Sequence, residues 1–444
     1  MRRSQVFLRP ITVRGRVRGN SRRVPSALNI TSETFMTDPR SPRLPHHPTS
    51  AEFTPAWAEH QAQMSPMGLY LHIPFCFHKC HYCDFYSIVE SPSAGQDRQA
   101  QLVDALIREL RHHQARLGPL RPRTLFVGGG TPTLLRPELW QRLLQALHDM
   151  DALEQAAEFT VEANPETVTP DLMSLLVRGG VNRVSIGAQS FQPPLLEALE
   201  RHHQIASVPR AVQAARQAGI DNINLDLIFA IPGQTMAQLE ADLDAALALE
   251  PTHLSCYNLI FEPATPLTQK MKLGQIQPLE EDLQRAMYDR VMTRLEHAGY
   301  EHYEISNWAR QRADGSYHCL HNLIYWHNLD WLGVGPSAAS HIRGRRWKNV
   351  PHLGRYLAGS PAPPTQDVEE PDPARHVGDS LMLGLRLRDG IALAWLDHHL
   401  DRNDPRWGVI DELIALGMLQ RDSSRLCLTR QGLFVADSII ARLM

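Results

Sequence analysis

The run Leu71-His-Ile-Pro-Phe-Cys76-Phe-His-Lys-Cys80-His-Tyr-Cys83-Asp-Phe85 gathers three cysteines into eight residues, half of the six in the chain. The spacing C-x3-C-x2-C puts three thiolates on one loop, enough for three corners of a cubane iron–sulfur cluster. No other cysteine lies near this loop in sequence, so the fourth iron is left open to a ligand from outside the chain. The alternative is structural zinc, with His78 or His81 as a fourth ligand. Structural zinc usually takes four ligands from two separated pairs, and this single compact triplet favours the cluster. Cys256, Cys319 and Cys427 stand apart and read as core residues.

Outward from the loop, the chain alternates strand and helix. Apolar runs at Leu69–Ile73, Thr124–Val127, Phe159–Ala163, Arg183–Gly187, Ile223–Ile228 and His253–Leu259 read as strands. Helical periodicity lies between most of them, as in Leu102, Val103, Leu106, Ile107 and Leu110, or Leu239, Leu243, Ala246 and Leu247. Six such units imply a parallel sheet with right-handed crossovers that curls into a partial barrel. Ligands of parallel α/β folds gather at the carboxyl ends of the strands. The cysteine loop follows the first strand and so belongs at that mouth. A three-cysteine loop with an aromatic before its last cysteine resembles the radical S-adenosylmethionine (SAM) superfamily. There the amino and carboxylate groups of SAM fill the open iron site.

The other strand ends carry further candidates. Gly128-Gly129-Gly130-Thr131 follows the second strand; glycines let backbone approach a ligand closely, although a bare glycine run is more often a turn. In position it resembles the segment by which radical SAM proteins meet the SAM amino group. Glu162, ending the third strand, suits a ribose hydroxyl or amine, or is a rim carboxylate satisfied by backbone. Gln189 follows the fourth strand, and Arg201 offers a guanidinium for a carboxylate; either alone reads as an ordinary solvated side chain. Asp226 lies inside the fifth strand, where an acid among apolar neighbours is costly unless paired.

Taken together, these residues resemble the family of oxygen-independent coproporphyrinogen III oxidases and their haem-chaperone relatives, over about residues 68–444. The resemblance rests on Tyr70-Leu-His-Ile-Pro-Phe-Cys, Gly-Gly-Gly-Thr-Pro-Thr, Gly180-Val-Asn-Arg-Val-Ser-Ile-Gly-Ala-Gln-Ser-Phe, Asn224-Leu-Asp-Leu-Ile-Phe-Ala-Ile-Pro-Gly-Gln-Thr and Tyr303-Glu-Ile-Ser-Asn. It implies that Cys76, Cys80 and Cys83 hold a [4Fe–4S] cluster and that Tyr82 packs beside it. It also implies that Tyr70, Gly129, Gly130, Thr131, Glu162, Gln189, Arg201 and Asp226 surround SAM. The dehydrogenase members continue their cysteine motif as C-x3-C-x2-C-x-C, and here Phe85 stands at the fourth cysteine. His321-Asn322-Leu-Ile-Tyr325-Trp326 matches the H-N-x-x-Y-W run associated with haem handling in the chaperones. A neutral imidazole is a common haem ligand, and Tyr325 and Trp326 offer stacking faces. The alternative is a satisfied rim histidine among core aromatics, and His302, His318 and His327 are nearby rivals. The resemblance thus implies a haem chaperone that binds cluster, SAM and haem, and passes haem to respiratory or other haem proteins. Coproporphyrinogen III oxidation and a radical SAM reaction on another substrate are the enzymatic alternatives.

The expected architecture is α/β: a partial (β/α)6 radical SAM barrel over residues 66–300, a haem-handling segment and linker over 301–373, and a module over 374–444. The extension is α+β, with a strand at Tyr300–Ile305, a proline-rich linker at Pro361–Pro373 and a hairpin at Met418–Leu428 that suggests a winged helix. That module balances nine arginines with nine acids, which favours packing or protein contact over DNA. Residues 1–65 lack periodicity. The first 23 hold eight arginines and no acid, as a mitochondrial presequence does, but their Pro and Gly content breaks an amphipathic helix. A disordered extension, or a reading frame begun too far upstream with Met36 or Met64 as the true start, is the preferred reading. Because residues 1–50 carry ten arginines against Glu33 and Asp38, the net charge of −3 leaves the remainder acidic. An acidic body argues against a nucleic-acid partner. Apolar content of 43%, with no run of about 20 apolar residues, indicates a globular protein without a membrane span. The cysteine usage points to a reducing compartment: bacterial cytoplasm, with peripheral membrane contact as a further expectation, or the mitochondrial matrix if the tail is a presequence. Monomer and dimer both remain compatible with the sequence.

Overall fold

The computed structural model describes residues 65–90, 97–313 and 315–444. The expectations for the arginine-rich segment before residue 65 fall outside the described residues. All six expected strands are present: β1 (Gly68–Ile73), β2 (Thr124–Gly129), β3 (Glu158–Ala163), β4 (Arg183–Gln189), β5 (Asn222–Phe229) and β6 (His253–Asn258). Each pairs in parallel with the next. Helices α1 (Arg98–Leu117), α2 (Pro137–Asp149), α3 (Pro170–Arg178), α4 (Ser207–Gln217) and α5 (Met236–Ala248) make the crossovers. Their ends follow from local chemistry. Asp97 caps α1 by accepting from the Ala100 N–H, and Thr235 with Gln238 closes a reciprocal capping box on α5.

Strand periodicity divides the residues between two faces. Leu69, Leu71, Ile73, Leu125, Val127, Phe159, Val161, Val184, Ile186, Ile223 and Leu225 join the apolar stripes of the helices in one core. The alternate positions carry Tyr70, His72, Glu162, Arg183, Ser185, Asn224, Asp226 and His253, so the inner face is polar and hydrogen-bonded.

The sheet extends at both ends. Beyond β6 come α6 (Glu281–His297), β7 (Tyr300–Glu304) and β8 (Asn307–Arg312), with β8 antiparallel to both β6 and β7. After helix α7 (Leu320–Trp326), strand β9 (Trp331–Val334) adds in parallel to the free edge of β1. Antiparallel β10 (Ala339–Ile342), β11 (Arg345–Asn349) and β12 (Thr365–Glu369) follow. The two ends of the sheet do not pair, so the barrel is partial, as expected. Pro361–Pro373 differs from the linker expectation, because it contains β12. That strand is an edge with mostly exposed side chains, and its flanking prolines mask it in the sequence.

Helix α8 (Pro373–Gly384) opens the terminal module, where Ile391–Ala392, Arg425–Leu428 and Leu419–Arg421 form a small antiparallel sheet. The expected hairpin is found, and the module closes on the helix Ala436–Leu443. A buried ion pair joins this module to the extension: Arg346 of β11 lies 2.6 Å from Asp379 of α8 and also donates to Asn328. Among the described residues, no helix is long and apolar enough to cross a membrane.

Candidate metal centre

The end of β1 runs straight into the cysteine loop. Phe75–Cys76 pairs with Ile88–Val89, and the Cys83 N–H donates to the Cys80 carbonyl at 3.1 Å, so the chain doubles back on itself. Burial raises the Cys76 thiol and pushes Cys83 up to about 12, and the neighbouring cysteines add to both shifts. Thiols so placed ionise when a cation compensates them. The Thr131 hydroxyl lies 3.5 Å from Cys76 Sγ, and Arg201 Nη1 lies 3.8 Å from Cys80 Sγ.

The glycine run lies against this loop at contact distance. A Cβ on Gly130 would stand 2.6 Å from the Phe75 carbonyl oxygen and 2.8 Å from that of Pro74. Gly129 has φ +113°, and a Cβ there would meet the His72 ring at 2.6 Å. Its N–H donates to Glu162 Oε2 at 3.1 Å, and the Thr131 N–H donates to the Phe75 carbonyl at 2.7 Å. Glu162 is pushed up to about 7 by burial and by the facing Asp226. Asp226 is likewise raised by burial, opposed by hydrogen bonds from Asn224 at 2.7 Å and Ser185 at 3.2 Å. Tyr70 donates or accepts at His72 Nδ1, 3.0 Å away, and burial with the Glu162 charge lifts its pKa.

Gln189 ends β4 at φ +65°, where the register with β5 shifts. Arg201 donates from Nη2 to the Gly187 carbonyl at 2.8 Å, while its solvent-shielded Nε has no hydrogen-bond partner among the described residues. Tyr82 packs against the apolar cluster that includes Leu195, Leu199 and Ile228, within electrostatic reach of Arg201 and Cys80. The donor set fits a cubane cluster with one open iron: three thiols, no fourth, and a buried guanidinium with an uncommitted nitrogen.

The H-N-x-x-Y-W residues lie elsewhere. The His321 ring meets Thr124, the first residue of β2, so α7 seats against the amino ends of the strands, opposite the cysteine loop. Thr124 Oγ1 lies 2.7 Å from Nδ1, the Tyr325 hydroxyl lies 2.8 Å from Nε2, and Phe126 stacks on the ring at 5.2 Å. Burial drives its pKa down to about 3, so the imidazole is neutral, but neither nitrogen is free in this conformation. Tyr325 meets Trp331 edge-on. Trp326 lies under Arg386, 5.9 Å from the guanidinium, and Asn322 is half-buried. Among the rivals, His302 stacks on Trp308, His318 lies 2.9 Å from Glu301, and burial lowers His327 to about 4.

Sequence reasoning missed the residues that hold Asp226. Asn224 binds His253 at 2.6 Å, whose other nitrogen meets the Tyr303 hydroxyl at 2.8 Å. Glu158, the first residue of β3, accepts from the backbone of Leu320 and His321 and thereby fixes α7. The signal for the first group was the alternation of polar residues at 222, 224 and 226 within an otherwise apolar strand.

Residues 70–246 match the model of the radical SAM superfamily, and residues 373–435 match the HemN C-terminal domain. The haem chaperone HemW of Lactococcus lactis is 32% identical over 381 residues, covering 85% of this chain and 97% of that protein. The HemW of Mycobacterium tuberculosis is 35% identical over 382 residues, covering 85% and 95%. The chain belongs to the HemW family. Its place in the radical SAM superfamily carries with it a [4Fe–4S] cluster and SAM as cofactors. The solved structure of coproporphyrinogen III oxidase (HemN) from Escherichia coli, a radical SAM enzyme, overlays with a TM-score of 0.73 at 22% identity. It covers 90% of this chain and 96% of its own, and so this chain shares the fold of that enzyme.

Proposed function

We propose that this chain is a haem chaperone that holds a [4Fe–4S] cluster, SAM and one haem, and delivers the haem to respiratory or other haem proteins. The observation that carries the reading is the likeness to HemW relatives across almost the whole described chain. Phe85, 43% exposed where the dehydrogenase motif has its fourth cysteine, supports the chaperone over the oxidase. In this reading Cys76, Cys80 and Cys83 ligate the cluster, which together with SAM supplies one-electron chemistry when bound. Arg201 takes the SAM carboxylate through its idle Nε, the Gly129–Thr131 backbone passes the amine, and Glu162 and Asp226 offer the negative charge opposite it. Tyr70, Tyr82 and Gln189 line the remainder.

The haem ligand is assigned to His321, with Asn322, Tyr325 and Trp326 around the macrocycle. Because both His321 nitrogens are engaged, haem binding there requires either α7 to withdraw from the barrel, breaking the contact to Thr124, or the Tyr325 side chain on the same helix to rotate off Nε2. The domains divide as 66–300, 301–373 and 374–444, and the protein works in the bacterial cytoplasm. The test is an anaerobic haem titration of the cluster-reconstituted protein beside His321→Ala, followed by visible absorbance. Saturable one-to-one binding that weakens in the variant supports the assignment; equal binding in both moves the ligand to another histidine, and no saturable binding overturns the chaperone reading.

A further inference from the structure

We propose that His78, Glu200 and His202 form a second metal site, for a divalent first-row ion such as Zn2+ or Fe2+, on the outer rim of the cysteine loop. His78 comes from the loop itself, between Cys76 and Cys80. Glu200 and His202 flank Arg201 on the segment after the short helix Pro193–Ala198. Arg201 turns inward to the thiols, and its two neighbours turn outward to His78. One candidate ligand atom from each of the three residues lies within 4.8 Å of the other two. The His78 and His202 rings stack at 4.2 Å, and His202 Nε2 lies 3.5 Å from Glu200 Oε2. His78 Nε2 is shielded from solvent and has no hydrogen-bond partner among the described residues.

Two imidazoles and one carboxylate suit an ion of borderline softness and leave positions open to water. Metal–ligand bonds of ~2.1 Å need the three atoms drawn closer together. His202 and Glu200 are partly exposed, which leaves both side chains room to rotate toward an ion. Glu200 Oε1 is shared with Lys270 at 3.6 Å and His81 at 3.8 Å, and the flexible Lys270 ammonium is the group the ion displaces. An ion here would fasten the cysteine loop to the segment that carries Arg201. The site stands independently of whether the chain handles haem.

The test uses the full chain, anaerobic and cluster-reconstituted, titrated with Zn2+ by calorimetry and with Co2+ by visible absorbance. The expected result is one saturable site with a Co2+ spectrum free of thiolate charge-transfer bands. Glu200→Gln and His202→Ala should each weaken it by about 10-fold or more, with cluster absorbance retained as the control for folding. Lys270→Ala should tighten it. Absence of a saturable site, wild-type affinity retained in both ligand variants, or a thiolate-type Co2+ spectrum would each overturn the proposal.

Discussion

Glu162→Gln tests the electrostatics of the inner face. The Glu162 carboxyl is buried opposite Asp226, with Arg183, Tyr70, Tyr257 and Tyr325 also in electrostatic reach, and it rises from 4.5 to about 7. The folded chain therefore holds that proton more tightly than the unfolded chain. Stability from this group is full below pH 4.5, is lost as the pH climbs through 7, and is constant above that. The shift corresponds to about 3 kcal/mol of disfavoured ionisation. Glutamine has the same shape and keeps an oxygen for the Gly129 N–H, so the variant loses the penalty and little else. Removing one charge also eases the ionisation of Asp226. Glu304, pushed up to about 7 by burial, titrates in both proteins and cancels in the comparison. Denaturant midpoints of the ligand-free proteins at pH 5 and pH 8 check this. The variant should be more stable by up to about 3 kcal/mol at pH 8, with the advantage mostly gone at pH 5. An advantage of equal size at both values, or none at either, refutes the reasoning. Affinity for SAM should fall in the same variant, because the acid that costs stability is the one proposed to meet the ligand.

Three further outcomes follow from named contacts. Arg201→Lys should weaken SAM binding, measured by equilibrium dialysis, by about 10-fold or more, since a lysine cannot replace a charged, branched hydrogen-bond donor worth about 1.5–3 kcal/mol. Cluster absorbance should persist in that variant. Gly130→Ala should cost about 1–3 kcal/mol in a thermal or denaturant melt, because the added methyl meets the backbone of Pro74 and Phe75 rather than a movable side chain. Arg346→Ala should cost about 3–5 kcal/mol by leaving Asp379 buried and unpaired, and limited proteolysis should then release the terminal module first.

The parallel core was legible because each strand is a short apolar run between helical periodicities, and such βα repeats admit few topologies. The triplet of cysteines was legible for a different reason, since its ligand spacing lies within one loop and needs no tertiary knowledge. Asp226 stood out as an acid inside an apolar strand, and its burial beside Asn224 and Ser185 explains how the fold tolerates it. Strand β9 was hidden, being four residues long with a glycine inside. The location of His321 was not legible at all. The stretch reads as irregular, rich in His, Asn and Trp, and both its short helix and the end of the barrel that helix plugs depend on tertiary contacts to Glu158 and Thr124, far away in the chain. A histidine that reads as an available ligand is in this conformation the centre of a satisfied network.

The central claim is that the chain carries haem rather than converting its precursor. The direct measurement is an anaerobic incubation of the haem-loaded, cluster-reconstituted protein with an apo-form respiratory haem protein, followed by the spectrum of the acceptor. A parallel reaction supplies coproporphyrinogen III, SAM and reductant. The account predicts haem appearing in the acceptor and no protoporphyrinogen in the parallel reaction. SAM-dependent protoporphyrinogen formation with no haem transfer would contradict it.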